Sequence, residues 1–508
     1  MGKIKIAICV LAIFILAFYL RVMFLPKNIL TFGYDQARDA IISQQILKGD
    51  LKIQGPPAST PGLYHGVFYY YVLAPAYLLG NGSPIVAAYW IAFLNSLVVF
   101  IVFYLTYLIS KRNVFAALLA SFLFAVSFEA TQYATWLSNP TIAIWTVQLM
   151  YLGLWIWLKE KRSYGVVLAG IGLGLSIQAE IFLAYHLVPL AFWVWTMRRN
   201  VTKKQCFIFI VSFLSAISTM IVNELKFGFQ SIAGLRSLAL STEANLAYAK
   251  SVGDYLILYL NQVGRIFAFN SYPGNIGYGG GILLGLIFYS FSKLGKSDDK
   301  MQPTIFLSTW LFSHLTVVTV GGTSTPFLMV GIGPAVSIML SLYIAKLFKN
   351  YKLISIIITT VLVFANISMI ARENKSGSTL FSIQKDMLLS KQLSVVDYTY
   401  EKAQGKPFSL NTLTSPLWIN IVWTYVYKWY GMPKYGYLPT FHGHDQIGIL
   451  DSLTMDEGKI KNYFLILEPM GGIPTQYLEL TLGEENSVSK LLEEKTFGEI
   501  RVQERIKI

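Results

Sequence analysis

Long, continuous apolar runs separated by short polar connectors fill the first 370 residues of this chain. Each run is close to the roughly 20 residues that a helix needs to cross a bilayer. The runs do not alternate between polar and apolar positions, so they predict helices and not the strands of a β-barrel. The predicted spans cover residues 4–24, 83–108, 113–130, 139–158, 164–180, 182–197, 205–224, 278–292, 303–320, 326–345 and 352–370.

Composition and charge support a membrane protein. Of the 508 residues, 54% are hydrophobic and 13% are charged, against the roughly 25% of charged residues in soluble domains. Lysine and arginine gather in alternate connectors, which the positive-inside rule places in the cytoplasm. These basic connectors are residues 111–112, 159–162, 198–204, 293–300 and 346–352. The net charge of +14 therefore reflects membrane topology, and we expect no nucleic-acid partner.

The same distribution of charge predicts the architecture. About eleven transmembrane helices with a cytoplasmic N-terminus, in the plasma membrane, leave the C-terminus outside. The long outer loops are then residues 25–82 and 225–277. We predict an all-α polytopic membrane domain over residues 1–371, followed by a small soluble extracytoplasmic α/β domain over residues 372–508. The strand-like runs of this second domain are residues 407–413, 463–467 and 500–508.

Acidic side chains collect on the predicted outer side. Glu129, Glu180 and Glu224 lie at or near the outer ends of three spans, and Asp35 and Asp39 lie in the first outer loop. Ionisable groups at membrane depth usually face a cavity or pathway, because burying a charge in lipid is costly. The placement predicts a polar cavity on the outer side. The alternative is that each acid lies separately at the wet membrane interface.

The first outer loop contains the most informative group of charges. Asp35 and Asp39 are one helical turn apart on the same predicted helix face, and Arg38 is adjacent to that face. The spacing alone favours an ordinary helix start, in which Asp35 caps the helix and the Arg38–Asp39 pair is solvated.

The order of motifs in the first half of the chain resembles the GT-C fold membrane glycosyltransferases. The similarity is to the protein O-mannosyltransferase and lipid A aminoarabinose transferase families, and it covers about residues 4–225. It is faint through residues 226–370, and the tail has no shared signature. The matching residues are Asp35 and Arg38, Gly49-Asp50, Leu63-Tyr64-His65-Gly66 leading into Phe68-Tyr69-Tyr70-Tyr71, and Asn139-Pro140.

The resemblance implies a specific chemistry. These enzymes transfer a sugar from a polyprenyl-phosphate donor to an acceptor on the outer face of the membrane, with inversion at the anomeric carbon. The family's first-loop aspartate corresponds to Asp35, which the resemblance assigns as the general base. Arg38 is then the motif's candidate for contacting the phosphate, because its planar guanidinium suits phosphate oxygens.

Further substrate-binding candidates come from the same comparison and from the outer loops. Gln178 and Glu180 line the sugar site or make an interhelical hydrogen bond, and Lys226 and Arg265 neutralise the donor or contact lipid headgroups. Where the aminoarabinose transferase has Lys-Pro, this chain has Gly66-Val67, so a second phosphate contact is unassigned and His65 is a substitute. The full set of candidates is Arg38, Asp39, His65, Glu129, Gln178, Glu180, Lys226 and Arg265.

Several alternatives stay open from the sequence. No cofactor is required by any motif, although a divalent metal remains an open alternative, and His442 and His444 with Asp445 form only a weak metal pattern. Hydroxyls in the loop 321–326 could hold a phosphate or simply form a turn. The acceptor could be a glycan, a lipid or a protein. A transporter or flippase for a lipid-linked sugar is the main alternative function, and a non-catalytic receptor is the third.

Overall fold

The structure is a computed structural model, and it describes residues 2–58, 61–240, 251–272, 276–292, 301–321, 325–377, 379–444, 452–456 and 458–508. Its helices are α1 (Lys3–Val22), α2 (Tyr34–Leu47), α3 (Phe68–Leu79), α4 (Pro84–Ile109), α5 (Val114–Val126), α6 (Phe128–Thr135), α7 (Ala143–Leu158), α8 (Tyr164–Ala179), α9 (Leu187–Thr196), α10 (Lys203–Ala216), α11 (Ser218–Lys226), α12 (Gln230–Leu240), α13 (Val252–Asn270), α14 (Ile276–Ser292), α15 (Pro303–Leu311), α16 (Leu315–Gly321), α17 (Gly333–Phe348), α18 (Lys352–Met369), α19 (Leu389–Ala403), α20 (Ile421–Val426), α21 (Met432–Tyr435) and α22 (Thr475–Val488).

All eleven predicted apolar runs are helical over most of their length. By length and composition, four helical segments among the described residues could cross a membrane, and two bent helix pairs raise this number to six. The chain therefore has the helices of a multi-pass membrane protein, while the count of eleven crossings stays a prediction. The four segments are Lys3–Lys27, Pro84–Ile109, Asn139–Leu158 and Lys352–Asn374.

Two of the predicted spans are broken rather than straight. Helices α5 and α6 meet at an angle of 54°, and α10 and α11 meet at 61°. At the first break, the Ser127 side chain accepts a hydrogen bond from the Ala130 N–H and so begins α6. The buried Arg21 guanidinium donates to the Ala125 carbonyl (3.0 Å) and to Asn95 (2.7 Å). The bond to Ala125 pairs a backbone carbonyl close to the break, as is required where water is excluded.

Helices α7 and α8 pack backbone to backbone. A Cβ atom added at Gly153 would collide with the backbone of Ala169, and one added at Gly172 would collide with the backbone of Met150. Small residues at such a contact let two helices approach closely, which is how membrane helices gain packing energy without a hydrophobic driving force. This helix pair carries Gln178 on the end of α8 into the candidate site.

The C-terminal part of the chain forms a five-stranded mixed sheet in the order β2-β1-β3-β5-β4. The predicted strands are present as β1, β3 and β5, and the other two were not predicted. Strand β1 is parallel to both β2 and β3, whereas β5 is antiparallel to β3 and β4. The strands are β1 (Ser409–Leu413), β2 (Thr440–Phe441), β3 (Asn462–Leu467), β4 (Ser489–Phe497) and β5 (Ile500–Lys507).

This part of the chain is fastened to the loop of residues 25–82. Phe32 N–H donates to the Met387 carbonyl (2.9 Å), and Leu389 N–H donates to the Leu30 carbonyl (2.8 Å). Further along the loop, Tyr425 OH donates to the Gly82 carbonyl (2.5 Å). Helix α2 starts at Tyr34, so these backbone bonds fix the position from which α2 begins.

We expect Gly172→Ala to destabilise the protein, because the new methyl group overlaps the Met150 backbone. Alanine stabilises a helix by about 1 kcal/mol relative to glycine. A net loss of stability would therefore reflect the disturbed contact between α7 and α8. Overpacking typically costs about 1–3 kcal/mol. The control is Gly285→Ala in α14, where a Cβ meets nothing within 4 Å. Thermal unfolding followed by tryptophan fluorescence should show a lowered midpoint for Gly172→Ala alone, and equal midpoints would contradict the packing.

Candidate active site

The N-terminal turn of α2 presents a half-exposed carboxylate. The side chain of Asp35 is 51% exposed, and its Oδ1 lies 2.7 Å from Arg38 Nη1. The turn itself is closed by Gln36, whose side-chain oxygen accepts a hydrogen bond from Gly33 N–H at 2.9 Å. Gln36 therefore caps the helix, which leaves Asp35 oriented by Arg38 and open to solvent.

Arg38 is buried and is held by a second carboxylate. Its Nε and Nη2 lie 2.8 and 2.7 Å from Asp39 Oδ1, and its guanidinium lies 5.5 Å from the centre of the Tyr34 ring. Asp39 is fully buried, and this burial raises its pKa to about 7 against the opposing charge of Arg38. Within the described residues its Oδ2 has no hydrogen-bond partner. The three charges form one network in which Asp35 is the accessible member.

His65 brings the end of α8 next to this network. Its Nδ1 accepts a hydrogen bond from Ile181 N–H (3.3 Å) and lies 3.6 Å from Glu180 Oε1. Burial, together with the charge of Arg38, lowers the pKa of His65 to about 4. The ring is therefore neutral near pH 7, with Nδ1 as acceptor and the proton on Nε2.

Gln178 anchors the loop that carries His65. Its carbonyl accepts from Gly66 N–H (2.8 Å), and its side-chain oxygen accepts from Phe68 N–H (3.2 Å) and from Thr219 (3.3 Å). A Cβ at Gly66 would collide with the Gln178 side chain. The departure from Lys-Pro at this motif position thus has a local cause, because the loop lies too close to α8 for any side chain.

A second polar cluster surrounds Glu129 in the first turn of α6. Glu129 is buried and accepts a hydrogen bond from Asn270 (2.6 Å), whose own oxygen accepts from Ser127 (2.7 Å). Arg265 lies close enough to interact electrostatically with Glu129 and donates to Met329 Sδ (3.1 Å). Its Nε is buried without a partner in the described part of the chain.

Two tyrosines that sequence reasoning missed join the clusters. Tyr133 interacts electrostatically with Glu129, Arg265 and Tyr185, and Tyr185 interacts in turn with Glu180. Their spacing gave no signal, because Tyr185 lies in an apolar run rich in aromatic residues and Tyr133 lies in the connector between two predicted spans. Buried polar groups around Glu129 and Glu180 are thus connected through these two tyrosines, while the polar cavity on the outer side stays a prediction.

Other candidates lie apart from these clusters or outside the described residues. Lys226 is exposed, with its ammonium 5.4 Å from the Phe227 ring, and Glu224 accepts from Ser231 N–H (3.1 Å). His444 is exposed and pairs with Glu484 (3.1 Å). Asp445 and residues 322–324 lie outside the described residues. Within the described residues no group of three or more His, Cys, Asp or Glu side chains could hold a metal ion.

The family motif Gly49-Asp50 has a structural explanation. Gly49 has a φ of 95° and donates to the Ile46 carbonyl (2.9 Å), which ends α2 in the left-handed conformation that favours glycine. Asp50 then pairs with Lys52 on the surface. This motif sets the length of the helix that carries Asp35.

Comparison with solved structures identifies the fold. ArnT from Cupriavidus metallidurans in the apo state aligns with a TM-score of 0.60 and 10% identity over 99% of this chain and 98% of that chain. ArnT bound to undecaprenyl phosphate aligns with a TM-score of 0.58 and 11% identity over the same shares. Arabinofuranosyltransferase AftD from Mycobacteria aligns with a TM-score of 0.48 and 11% identity over 100% of this chain and 40% of that chain.

The likeness to ArnT, a lipid A aminoarabinose transferase, confirms the predicted GT-C fold. It extends over nearly the whole chain, including the C-terminal domain in which the sequence has no shared signature. No protein-family model and no curated protein matches the sequence. The fold is therefore preserved where sequence similarity is very low.

We expect the buried neutral His65 to make stability depend on pH. The unfolded chain takes up a proton at this ring near pH 6.5, whereas the folded chain does so only near pH 4. Above pH 6.5 this histidine should therefore cost no stability. As the pH drops from 6.5 to 4, the free energy of unfolding should fall by up to roughly 3 kcal/mol.

His65→Asn keeps an oxygen where Nδ1 accepts from Ile181 and should flatten this part of the pH profile of the unfolding midpoint. His444→Asn is the control, because it removes an exposed histidine far from the loop. If His65→Asn lost stability between pH 6.5 and 4 as steeply as the unchanged protein, the assigned state of His65 would be wrong.

Proposed function

We propose that this chain is a GT-C glycosyltransferase that moves a sugar from a polyprenyl-phosphate carrier to an acceptor on the outer face of the membrane. One observation carries the proposal: Asp35 is a half-exposed carboxylate, and the buried Arg38 guanidinium fixes its position. The shared fold supports it, since ArnT has been solved with undecaprenyl phosphate bound. The basic connectors support the outer placement of this loop.

The proposed reaction is a single displacement with inversion. An acceptor hydroxyl attacks the anomeric carbon while its proton passes to Asp35. The new carbon–oxygen bond forms as the bond from the anomeric carbon to the phosphate oxygen breaks. The leaving polyprenyl phosphate takes the electron pair of the broken bond and needs cations close to it.

The contacts of Arg38 favour a positioning role over a phosphate contact. Its Nε donates to Asp39 and its Nη1 to Asp35, whereas Nη2 lies 2.7 Å from Asp39 Oδ1 without a hydrogen bond among the described residues. Because leaving a buried charge unpaired is costly, these two carboxylates hold the guanidinium in place. Arg38 thus orients the proposed base, and Asp39 holds Arg38.

Arg265 is the better candidate for the leaving phosphate. It is mostly buried, it interacts electrostatically with Glu129, and its Nε has no partner among the described residues. Charge-assisted bonds from such a guanidinium to a phosphate are strong because the surroundings exclude water. Neutral His65 and the buried Glu180 then border the sugar between the two clusters.

We expect Asp35→Asn to lower kcat by at least about a hundredfold, because the amide accepts a bond from Arg38 but cannot accept a proton. The donor dissociation constant should stay within about threefold of that of the unchanged protein. The substitution removes no contact that the donor makes equally in the ground state and the transition state. Single-turnover transfer with a saturating polyprenyl-phosphate sugar measures the first, and titration with the same donor measures the second.

Asp50→Asn is the matched control, being an exposed aspartate in the same loop. A loss smaller than tenfold in Asp35→Asn would remove Asp35 from the mechanism. Movement of the donor across the bilayer without consumption, by the unchanged protein, would instead favour the flippase alternative.

We expect Arg38→Lys to lower kcat by about tenfold or more with little change in donor affinity. A lysine head cannot reproduce the fork that holds both carboxylates, so Asp35 loses its fixed orientation. Arg372→Lys, at an exposed arginine, is the control. A large rise in the donor dissociation constant with unchanged kcat would show instead that Arg38 contacts the phosphate.

A further inference from the structure

A small cavity lies where the end of α1 meets the segment that leads from α18 into the C-terminal domain. Its volume is about 20 Å³, which leaves room for one ligand about the size of a water molecule or a halide ion. Arg21 lines it from α1, Gln132 from α6, and Asn374 and Thr379 from the segment after α18. None of the described residues that line it was assigned to the candidate active site, so the cavity is a separate feature of the fold.

Arg21 brings a positive charge to this cavity without a carboxylate to balance it. The residue is 2% exposed. Its Nε donates to Asn95 (2.7 Å), and its Nη1 donates to the carbonyls of Ala17 (2.8 Å) and Ala125 (3.0 Å). All three acceptors are neutral, and in the described part of the chain no acidic side chain pairs with Arg21. Because a buried charge is costly unless a counter-charge accompanies it, this guanidinium calls for an anion.

The groups around Arg21 offset only part of its charge. The Ala125 carbonyl lies at the C-terminal end of α5, where a helix dipole amounts to about half a negative charge. The Phe124 ring, with its centre 5.2 Å from the guanidinium, adds a cation–π contact. The remaining nitrogen, Nη2, is buried and has no hydrogen-bond partner among the described residues. Arg21 therefore keeps both a free donor and a net positive charge for a ligand.

A second buried donor belongs to the same cavity. Thr379 is 7% exposed, and its hydroxyl has no hydrogen-bond partner within the described ranges. The described lining residues include no aspartate or glutamate. Guanidinium N–H and hydroxyl O–H groups both donate to an anion. A water molecule would satisfy these donors but would leave the charge of Arg21 unbalanced, and an oxyanion such as phosphate needs more room.

We propose that this cavity is a chloride site, in which the ion pairs with Arg21 and accepts hydrogen bonds from Nη2 and from the Thr379 hydroxyl. The bound ion neutralises the buried guanidinium. It also joins α1 to the segment that carries Asn374 and Thr379 and that enters the C-terminal domain. This binding depends neither on Asp35 nor on sugar transfer, so it goes beyond the proposed function and is tested without it.

The test uses the purified full chain in nanodiscs. Sodium gluconate is replaced stepwise by sodium chloride, and in a second series by sodium bromide, at constant ionic strength. The unfolding midpoint is followed by tryptophan fluorescence. A ligand that binds only the folded state should raise the midpoint along a curve that flattens as the site fills, whereas general salt effects keep changing with concentration. Amide hydrogen exchange should slow in chloride in the peptides that contain Asn374 and Thr379.

Thr379→Val is the decisive variant, because it removes the hydroxyl at nearly constant volume and breaks no hydrogen bond of that hydroxyl among the described residues. It should raise the half-saturating chloride concentration by at least about tenfold, since a hydrogen bond to a charged group is lost. Arg21→Gln should abolish the response to chloride. The matched controls are Thr196→Val on α9 and Arg199→Gln at an exposed arginine, which should both respond as the unchanged protein does.

A crystal of the unchanged protein grown in bromide should show one anomalous signal between Arg21 and Thr379, and this readout does not depend on whether Arg21→Gln folds. Three results would overturn the proposal. A midpoint that never saturates with chloride would show a general salt effect. Saturation that Thr379→Val leaves unchanged would place the ion elsewhere in the protein. Ordinary water density without an anomalous signal beside Arg21 would show that the cavity holds water only.

Discussion

The burial of the Arg38 guanidinium is the constraint on which the loop of residues 25–82 depends. A buried charge is tolerated only when it is paired and hydrogen-bonded, and removing one partner of such a pair costs about 3–5 kcal/mol. Here Asp39 supplies the buried partner and Asp35 the half-exposed one. Their positions along one helix are therefore not independent, and the orientation of the accessible carboxylate follows from the need to neutralise the buried cation.

The helix that carries these charges is itself held at both ends by the rest of the fold. At its start, backbone bonds join Leu30 and Phe32 to the segment that enters the C-terminal domain. Near its end, Gln44 contacts Tyr425 of that domain. The C-terminal domain is thus part of the frame around the candidate active site. This explains why a domain without any shared sequence signature belongs to the shared fold.

The sequence predicted the features that hydrophobic periodicity and charge determine. It did not predict the features that depend on how closely two backbone segments approach each other. Continuous apolar runs predicted the helices, and alternation predicted three strands, but β4 consists largely of exposed and charged residues and gave no such pattern. The break at Ser127 was missed because a serine in an apolar run looks the same in a straight helix. The collision that restricts position 66 to glycine depends on the approach of α8, which no local pattern encodes.

The charged motif of the candidate site was predicted from the sequence. The contacts between distant parts of the chain at that site were predicted only in part. The spacing of Asp35, Arg38 and Asp39 placed the three charges together before the structure was known. The contribution of Asn270 could not be predicted, because it lies more than a hundred residues from Glu129 in the chain and meets it only through the packing of α13 on α6. Lys226, by contrast, looked equivalent to Arg265 in the sequence, and only the fold separates the exposed cation from the buried one.

The pairing of Arg38 also bears on which residues act as the base and as the phosphate-stabilising cation in the proposed reaction. A guanidinium that two carboxylates hold in place is poorly able to follow charge that develops on a leaving phosphate, so the proposal takes the stabilising cation from another element. Arg265 on α13 meets that requirement, because it lies in a different buried cluster that is joined to the first through Tyr133, Tyr185 and Glu180. In a medium of low dielectric constant, groups linked in this way influence each other over longer distances than in water. Burial raises the pKa of Asp39, and the charge of Arg38 opposes that rise. The base and the cation of the proposed site therefore lie in separate clusters, which His65, Glu180 and the two tyrosines connect.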